Sequence, residues 1–531
     1  MNLPPTAHKA AAPRLSIANQ PDRRGFLKTG AATAAGLLLA GCDRKPVSAP
    51  PAGPVIGSGP DTEDVAPVPE PGTEGLTQTE PAAVETGAGV QEWNLSELAP
   101  PPDWSRLDAW QGTILAEDFR HLLENVLTDG TAFYATVQQL PDRALIRTST
   151  AVAGAPRYEL RFAGAAPLAS ASGAARYWRK VSEMGPAPSV DRPLEGVRVA
   201  LDPGHIGGEW AKMEGRWYHM NADQPVVSGT AAAALEAEQA KVDGPASAQG
   251  GPAAEEKAEP GEPVVPKPVM EGELTLRTAE VLRPILEKMG AIVTMVREKT
   301  EPLTDEKPAQ LREAAIQSLM QAKGALAVIS EWQIQREAER LFYRTSEIRA
   351  RGRRVNEVLK PDLLICLHYN AEPWGNDAGK PVFTTRNHLH ILAHGCLGPA
   401  EFSLDDQRLD ALLRLVQRIP DEEIILCDAV ARHLAEATGL PPFTYLGSSA
   451  RQVNDNPYLW ARNLLANRVY HCPVVFPEPY VMNNHEVYQR IQAGDYEGEK
   501  EVAGKMRRSI YREYAHGVAA GLAEVFRTRR G

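Results

Sequence analysis

Val197-Arg198-Val199-Ala200-Leu201-Asp202-Pro203-Gly204-His205 is an apolar run that stops abruptly on Asp-Pro-Gly-His. Its composition predicts a strand ending at Asp202, with Pro203 and Gly204 turning the chain out of it. Moving outward, residues 274–289 have helical periodicity and stop at Gly290, a good helix terminator. Ile292-Val293-Thr294-Met295-Val296 predicts the next strand. Leu363-Leu364-Ile365-Cys366-Leu367 is apolar on both faces, as a central strand must be, and Pro473-Val474-Val475-Phe476 predicts another. From about Gly196 onward, strands therefore alternate with helices. This predicts an α/β fold, a mixed, mostly parallel twisted sheet flanked by helices. Ligands of such sheets gather at the carboxyl ends of the strands. Asp202, His368 and Glu478 all fall just past such ends.

Four islands carry the residues of a possible catalytic site: Asp202-Pro203-Gly204-His205, Glu271 ahead of a helix, Cys366-Leu367-His368-Tyr369-Asn370-Ala371, and Val475-Phe476-Pro477-Glu478. Two imidazoles and a carboxylate can hold a zinc ion and leave one position open for water. A second carboxylate can then take the water's proton. A hydrophobic core does not need this set.

At these residues the chain resembles the zinc-dependent N-acetylmuramoyl-L-alanine amidases of the type 3 class, over about residues 196–526. The Asp202-Pro203-Gly204-His205-Ile206-Gly207-Gly208 strand end is similar to the family's first motif. Glu271-Gly272-Glu273-Leu274-Thr275-Leu276-Arg277-Thr278-Ala279, followed by Gly290 and Val296-Arg297, is similar to its glutamate, first helix and Thr-Arg strand end. Cys366 to Ala371 and Pro477-Glu478-Pro479-Tyr480-Val481-Met482-Asn483-Asn484 match its last two elements. The resemblance implies that His205, Glu271 and His368 bind one zinc ion and that Glu478 is the catalytic carboxylate. It also implies a peptidoglycan substrate, cut between N-acetylmuramic acid and L-alanine. Asp202 and Asn370 are candidates to orient the ligands or meet substrate, although turn chemistry explains Asp202 beside Pro203 as well. The chain departs from the pattern in four ways: Glu273 competes with Glu271, Tyr480 and Val481 replace the usual Gly-Phe, Pro477 and Pro479 flank Glu478, and the insertion after Gly208 is longer than the family's. Two other readings stay open, a different zinc peptidase or amidohydrolase acting on muropeptides, and a catalytically silent wall-binding regulator on the same fold.

The N-terminus reads as an address. Asp22-Arg23-Arg24-Gly25-Phe26-Leu27-Lys28 is a twin-arginine pattern, followed by an apolar run over residues 31–40 that is too short to span a bilayer. Leu39-Ala40-Gly41-Cys42 resembles a lipoprotein box, which implies export by the twin-arginine route, lipidation at Cys42 and a lipid anchor on the periplasmic side of the inner membrane. The expected organisation is a signal peptide over 1–42, a Pro/Ala/Gly/Glu-rich disordered linker over 43–90 and a small α+β region of unknown role over 91–190. A catalytic domain over 195–530 follows, with insertions at about 211–269 and 306–348. A helix is expected at Ala116 to Leu123, with strands at Phe133 to Val137, Arg143 to Thr148 and Tyr158 to Phe162.

The 531 residues carry a formal net charge of −11, which argues against nucleic acid, whose phosphates need basic surface. The hydrophobic share of 43% is compatible with a real core. The five cysteines show no CxxC spacing, so a cysteine zinc site is not expected and buried free thiols are. His388, His390 and His394 cluster after a strand signal, and alternation puts His388 and His390 on one face. With no carboxylate nearby in the family pattern, they are read as packed or substrate-facing. His121, His471 and His485 read as structural or surface residues, and His219 lies in an insertion near the site in sequence. The basic end of the helical insertion, Arg349-Ala350-Arg351-Gly352-Arg353-Arg354, reads as a solvated helix face, and the insertion itself is the candidate for gating the site.

Overall fold

The computed structural model describes residues 92–164, 176–220, 226–227, 266–324, 326–373 and 382–530. The expected signal peptide, Cys42, the linker and most of the 211–269 insertion lie outside them.

The N-terminal region begins with helix α1 (Ala116–Leu122) and the antiparallel strands β1 (Val137–Gln139), β2 (Arg143–Arg147) and β3 (Arg157–Arg161). The strand expected from Phe133 starts only at Val137, because Asp129 accepts from the amides of Thr131 and Ala132 and winds the preceding residues into turns.

The central sheet is built from β4 (Arg198–Pro203), β5 (Ile292–Met295), β6 (Leu363–Leu367), β7 (Leu389–His394), β8 (Ala450–Gln452), β9 (Leu459–Arg462) and β10 (Val474–Pro479). Its order is β8-β9-β7-β10-β6-β4-β5. Strands β5, β4, β6 and β10 run parallel; β7 is antiparallel to β10, β9 parallel to β7, and β8 antiparallel to β9. The sheet is therefore mixed and mostly parallel. Helix α2 (Glu271–Lys288) connects β4 to β5, and α3 (Arg312–Lys323), α4 (Glu331–Leu341) and α5 (Glu347–Arg353) lie between β5 and β6. Helices α6 (Asp405–Val416) and α7 (Ile419–Thr438) follow β7, and α8 (Ile510–Arg529) closes the described chain.

Each face of the sheet has its own core. Val199, Leu201, Ile365, Leu367 and Val475 pack with Leu282 of α2, Val430 of α7 and Val518 of α8. Alternation sends Ala200, Leu364, Cys366, Val474 and Phe476 to the other face, with Trp178, Trp460 and Tyr470. This explains why β6 reads as apolar throughout. The N-terminal region shares its core with α6, where Trp104, Phe119, Phe133 and Ile146 cluster with Leu409 and Leu412. Helix α4 continues through wide π-type turns at Phe342–Ser346 and Arg354–Leu359. Together with α3 it packs Leu311, Ile334, Leu341 and Phe342 onto Ile206, the residue after His205.

Candidate metal centre

Three expected ligands converge at the carboxyl ends of β4 and β6 and the first residue of α2. The donor atoms of His205, Glu271 and His368 lie within 4.8 Å of one another. His205 Nε2 is 3.2 Å from Glu271 Oε2, and His368 Nδ1 is 3.3 Å from Glu271 Oε1. Glu271 is buried, and its Oε2 makes no hydrogen bond. A buried carboxylate oxygen left in this state is costly unless a cation faces it. Arg216 supplies one positive charge, with Nη1 at 3.5 Å. Burial pushes the Glu271 carboxyl up, but His205, His368 and Arg216 outweigh it and hold it down at about 2. Two imidazoles and an ionised carboxylate with an unsatisfied oxygen fit a zinc ion and leave room for a fourth ligand.

The turn carrying His205 is clamped from several sides. His205 itself has φ +58, a conformation a non-glycine residue adopts only when its surroundings enforce it. Arg351 donates to Pro203 O at 2.7 Å and to His205 O at 2.6 Å. Arg297 donates to Pro203 O, Gly204 O and Gly272 O. Gly272 lets the start of α2 lie against the turn, since a Cβ there would stand 2.2 Å from Ile206 O. Gly204 likewise leaves room for the His368 ring, whose Nε2 would be 2.4 Å from a Cβ.

Glu214 is a functional residue that the sequence reading missed. Its Oε1 lies 2.6 Å from His205 Nδ1, and its Oε2 accepts from Ile206 N at 3.0 Å. A carboxylate on the far nitrogen of a histidine fixes the tautomer and turns Nε2 toward the metal side. Glu214 follows the short helix Trp210–Met213, inside the expected 211–269 insertion, and no motif points to it. The choice between Glu271 and Glu273 is also clear in three dimensions: Glu273 accepts from Gly208 N and braces the turn instead.

The other expected residues have different surroundings. Asp202 touches no ligand side chain; its partners are Arg351 Nη1 at 3.0 Å, Tyr470 OH and Cys366 Sγ at 3.8 Å. Its link to His205 runs through Arg351. Asn370 is buried, with Oδ1 accepting from Ala371 N and Nδ2 unpartnered. The reading of residues 349–354 as a solvated face fails at Arg351, which is buried between Asp202 and Glu347 and holds the His205 turn. The four described cysteines are free and buried, as expected.

Glu478 sits on β10 in register with His390 of β7. The parallel register of β10 with β6 continues to place Glu478 beside His368, where His368 N donates to Pro477 O. A row therefore runs across the sheet from His390 through Glu478 and His368 to Gly204. The Glu478 carboxylate turns toward His390, whose Nε2 is 2.9 Å from Oε2. Phe476, one step back on the same face, stacks on the His368 ring at 4.3 Å. His390 of β7 and His388 just before it do have carboxylates, supplied from outside the local sequence: His390 has Glu478, and His388 has Glu372 at 3.2 Å, whereas the His394 ring meets Asn467.

A cavity of about 200 Å³ opens over the centre. Its lining includes His205, Glu214, Arg216 and His368, Tyr343 and Arg344 of the π-type turn, and Leu464 and Leu465.

No family model and no curated protein matches the chain. Among solved structures, the chain is similar to the N-acetylmuramyl-L-alanine amidase Ami1 from Mycobacterium abscessus, with 15% identity, TM-score 0.30, and coverage of 62% of this chain and 98% of that one. The Ami1 amidase from Mycobacterium smegmatis gives 16% identity, TM-score 0.30, and coverage of 63% and 98%. The CwlD amidase from Clostridioides difficile, solved in complex with the GerS lipoprotein, gives 10% identity, TM-score 0.29, and coverage of 62% and 98%. At identities and scores this low, the likeness carries no inference about chemistry.

Proposed function

We propose that this chain is a zinc-dependent cell-wall amidase that hydrolyses the amide between N-acetylmuramic acid and L-alanine in peptidoglycan. We further propose that it works from the periplasmic side of the membrane, anchored through lipidated Cys42. The observation carrying this reading is the convergence of His205, Glu271 and His368 at the carboxyl end of the sheet, with Glu478 next in the row. The choice of amide rests on the motif resemblance of the four islands.

His205, Glu271 and His368 would hold the zinc ion, which would supply Lewis-acid chemistry for amide hydrolysis when bound. Glu214 keeps His205 in the tautomer whose Nε2 is free to bind. Glu478 takes the water's proton and returns it to the departing amine of L-alanine. Tyr343 and Arg344 line the cavity beside the centre, where they would contact a bound substrate.

The test is mass spectrometry of products released from purified sacculi by the full-length protein, with zinc and with a chelator. Zinc-dependent release of stem peptides with a free L-alanine amine is expected, with glycan strands left intact. Cuts elsewhere in the peptide would replace the amidase reading by a zinc peptidase. Glu478→Gln should retain zinc and lose activity by about 10²- to 10⁴-fold; activity near the parent's would remove Glu478 from the mechanism.

A further inference from the structure

We infer that His390 is the positioning residue for Glu478 and that it aims the carboxylate during hydrolysis. This rests on the amidase reading above and deepens it. His390 is completely buried on β7, directly across from Glu478 in the antiparallel register. Its Nε2 is 2.9 Å from Glu478 Oε2 and 3.1 Å from Tyr445 OH. Its Nδ1 is buried and has no partner. Only Nε2 therefore has anything to meet, and the ring hydrogen belongs there, because a carboxylate can only accept. Tyr445 OH, which accepts from Arg462 Nη1 at 3.4 Å, can only share the same hydrogen as a second acceptor. Phe443 fixes the ring plane, with centroids 5.1 Å from His390 and 4.6 Å from His388.

This arrangement exceeds what packing needs. An apolar side chain in the row would fill the space between Leu392 and Phe443 without placing a donor beside a carboxylate that is itself almost wholly buried. A general base works only when its oxygen is held within reach of the proton it removes. In this site the hydrogen on Nε2 engages Oε2, so Oε1 of Glu478 is the oxygen left to act as the base. His390 touches neither substrate nor metal, so it acts through Glu478 alone.

The test compares His390→Gln with His390→Phe in the full-length protein, using a soluble muramyl peptide and measuring kcat, KM and bound zinc. Gln keeps an N–H donor but packs poorly, whereas Phe fills the site and has no donor. The expected result is kcat for the Gln variant about 10-fold above that for the Phe variant, with KM and zinc content close to the parent's in both. Phe equal to or better than Gln overturns the proposal, because a packing role would give that order. Parental kcat in both variants overturns it as well. If neither variant folds, His390→Asn and His390→Leu decide in the same assay: kcat for Asn above that for Leu supports the proposal, and Leu equal to or above Asn overturns it. Failure of the amidase reading looks different. The parent would then fail to cut the muramyl amide, or Glu478→Gln would stay active, whatever the His390 variants do.

Discussion

Glu214 braces the candidate metal site from outside the proposed ligand set. It lies nine positions after His205 and reaches back to Nδ1 at 2.6 Å while capping the Ile206 amide. Glu214→Ala should leave the fold intact and weaken zinc binding by about 10- to 100-fold, measured by competition with a chromophoric chelator. Unchanged affinity would mean that the clamp of Arg351 and Arg297 on the turn orients His205 alone. The four islands were legible as residues because each is a short run at a strand or helix end. Glu214 was not, because a lone glutamate after a four-residue helix has no spacing that distinguishes it from surface charge.

At the scale of elements, the sheet positions the chemistry and the inserted helices flank it. The parallel strands β4, β6 and β10 deliver Gly204, His368 and Glu478 to one level, and antiparallel β7 adds His390 from the opposite direction. The alternation of strands and helices was readable from apolar runs and glycine stops. The insertion was readable only as helices, because amphipathic periodicity shows that one face is buried and says nothing about what buries it. In the structure that partner includes Ile206, Trp210 and Met213, and the π-type turn at Phe342–Ser346 places Tyr343 and Arg344 in the cavity lining. Tyr343→Ala should widen the cavity and raise hydrolysis of intact sacculi severalfold relative to a soluble muramyl peptide. An unchanged ratio of the two rates would count against the insertion as a gate.

Across the whole molecule, the N-terminal region is joined to the catalytic fold by a shared core and by polar ties. One of these ties is sensitive to acid. His471, beside β10, meets Arg106 of the N-terminal region, with Arg106 Nη2 3.3 Å from Nδ1. Burial pushes the His471 imidazole down to about 3, and the cations Arg106 and Arg414 add to this. The unfolded chain takes up this proton near pH 6.5 and the folded one does not until about pH 3. Stability from this group is therefore complete above about pH 6.5 and falls as pH drops through that window. His471→Gln should flatten the decline, recovering about 2 kcal/mol relative to the parent's own loss between pH 7 and pH 5. Parallel urea-unfolding curves for the two proteins at both pH values would contradict this.

Sequence alone determined strands β4, β5, β6 and β10, the helices between β4 and β6, and the four islands that hold the candidate ligands and base. It did not determine β8, β9 or helices α6 to α8, and it placed the His388 to His394 cluster after a strand that those residues themselves form. The legible features are local: a strand's two-residue period, a helix stop and an Asp-Pro-Gly turn are written in neighbouring positions. Tertiary structure alone decided which groups face one another. It gave His205 to Glu214, the His205 turn to Arg351, and Glu478 to His390, 88 positions away in the chain and directly opposite in the sheet. Pairings of that kind follow from strand order and register, which depend on how the whole core packs, so residues far apart in sequence become partners only once the sheet has formed.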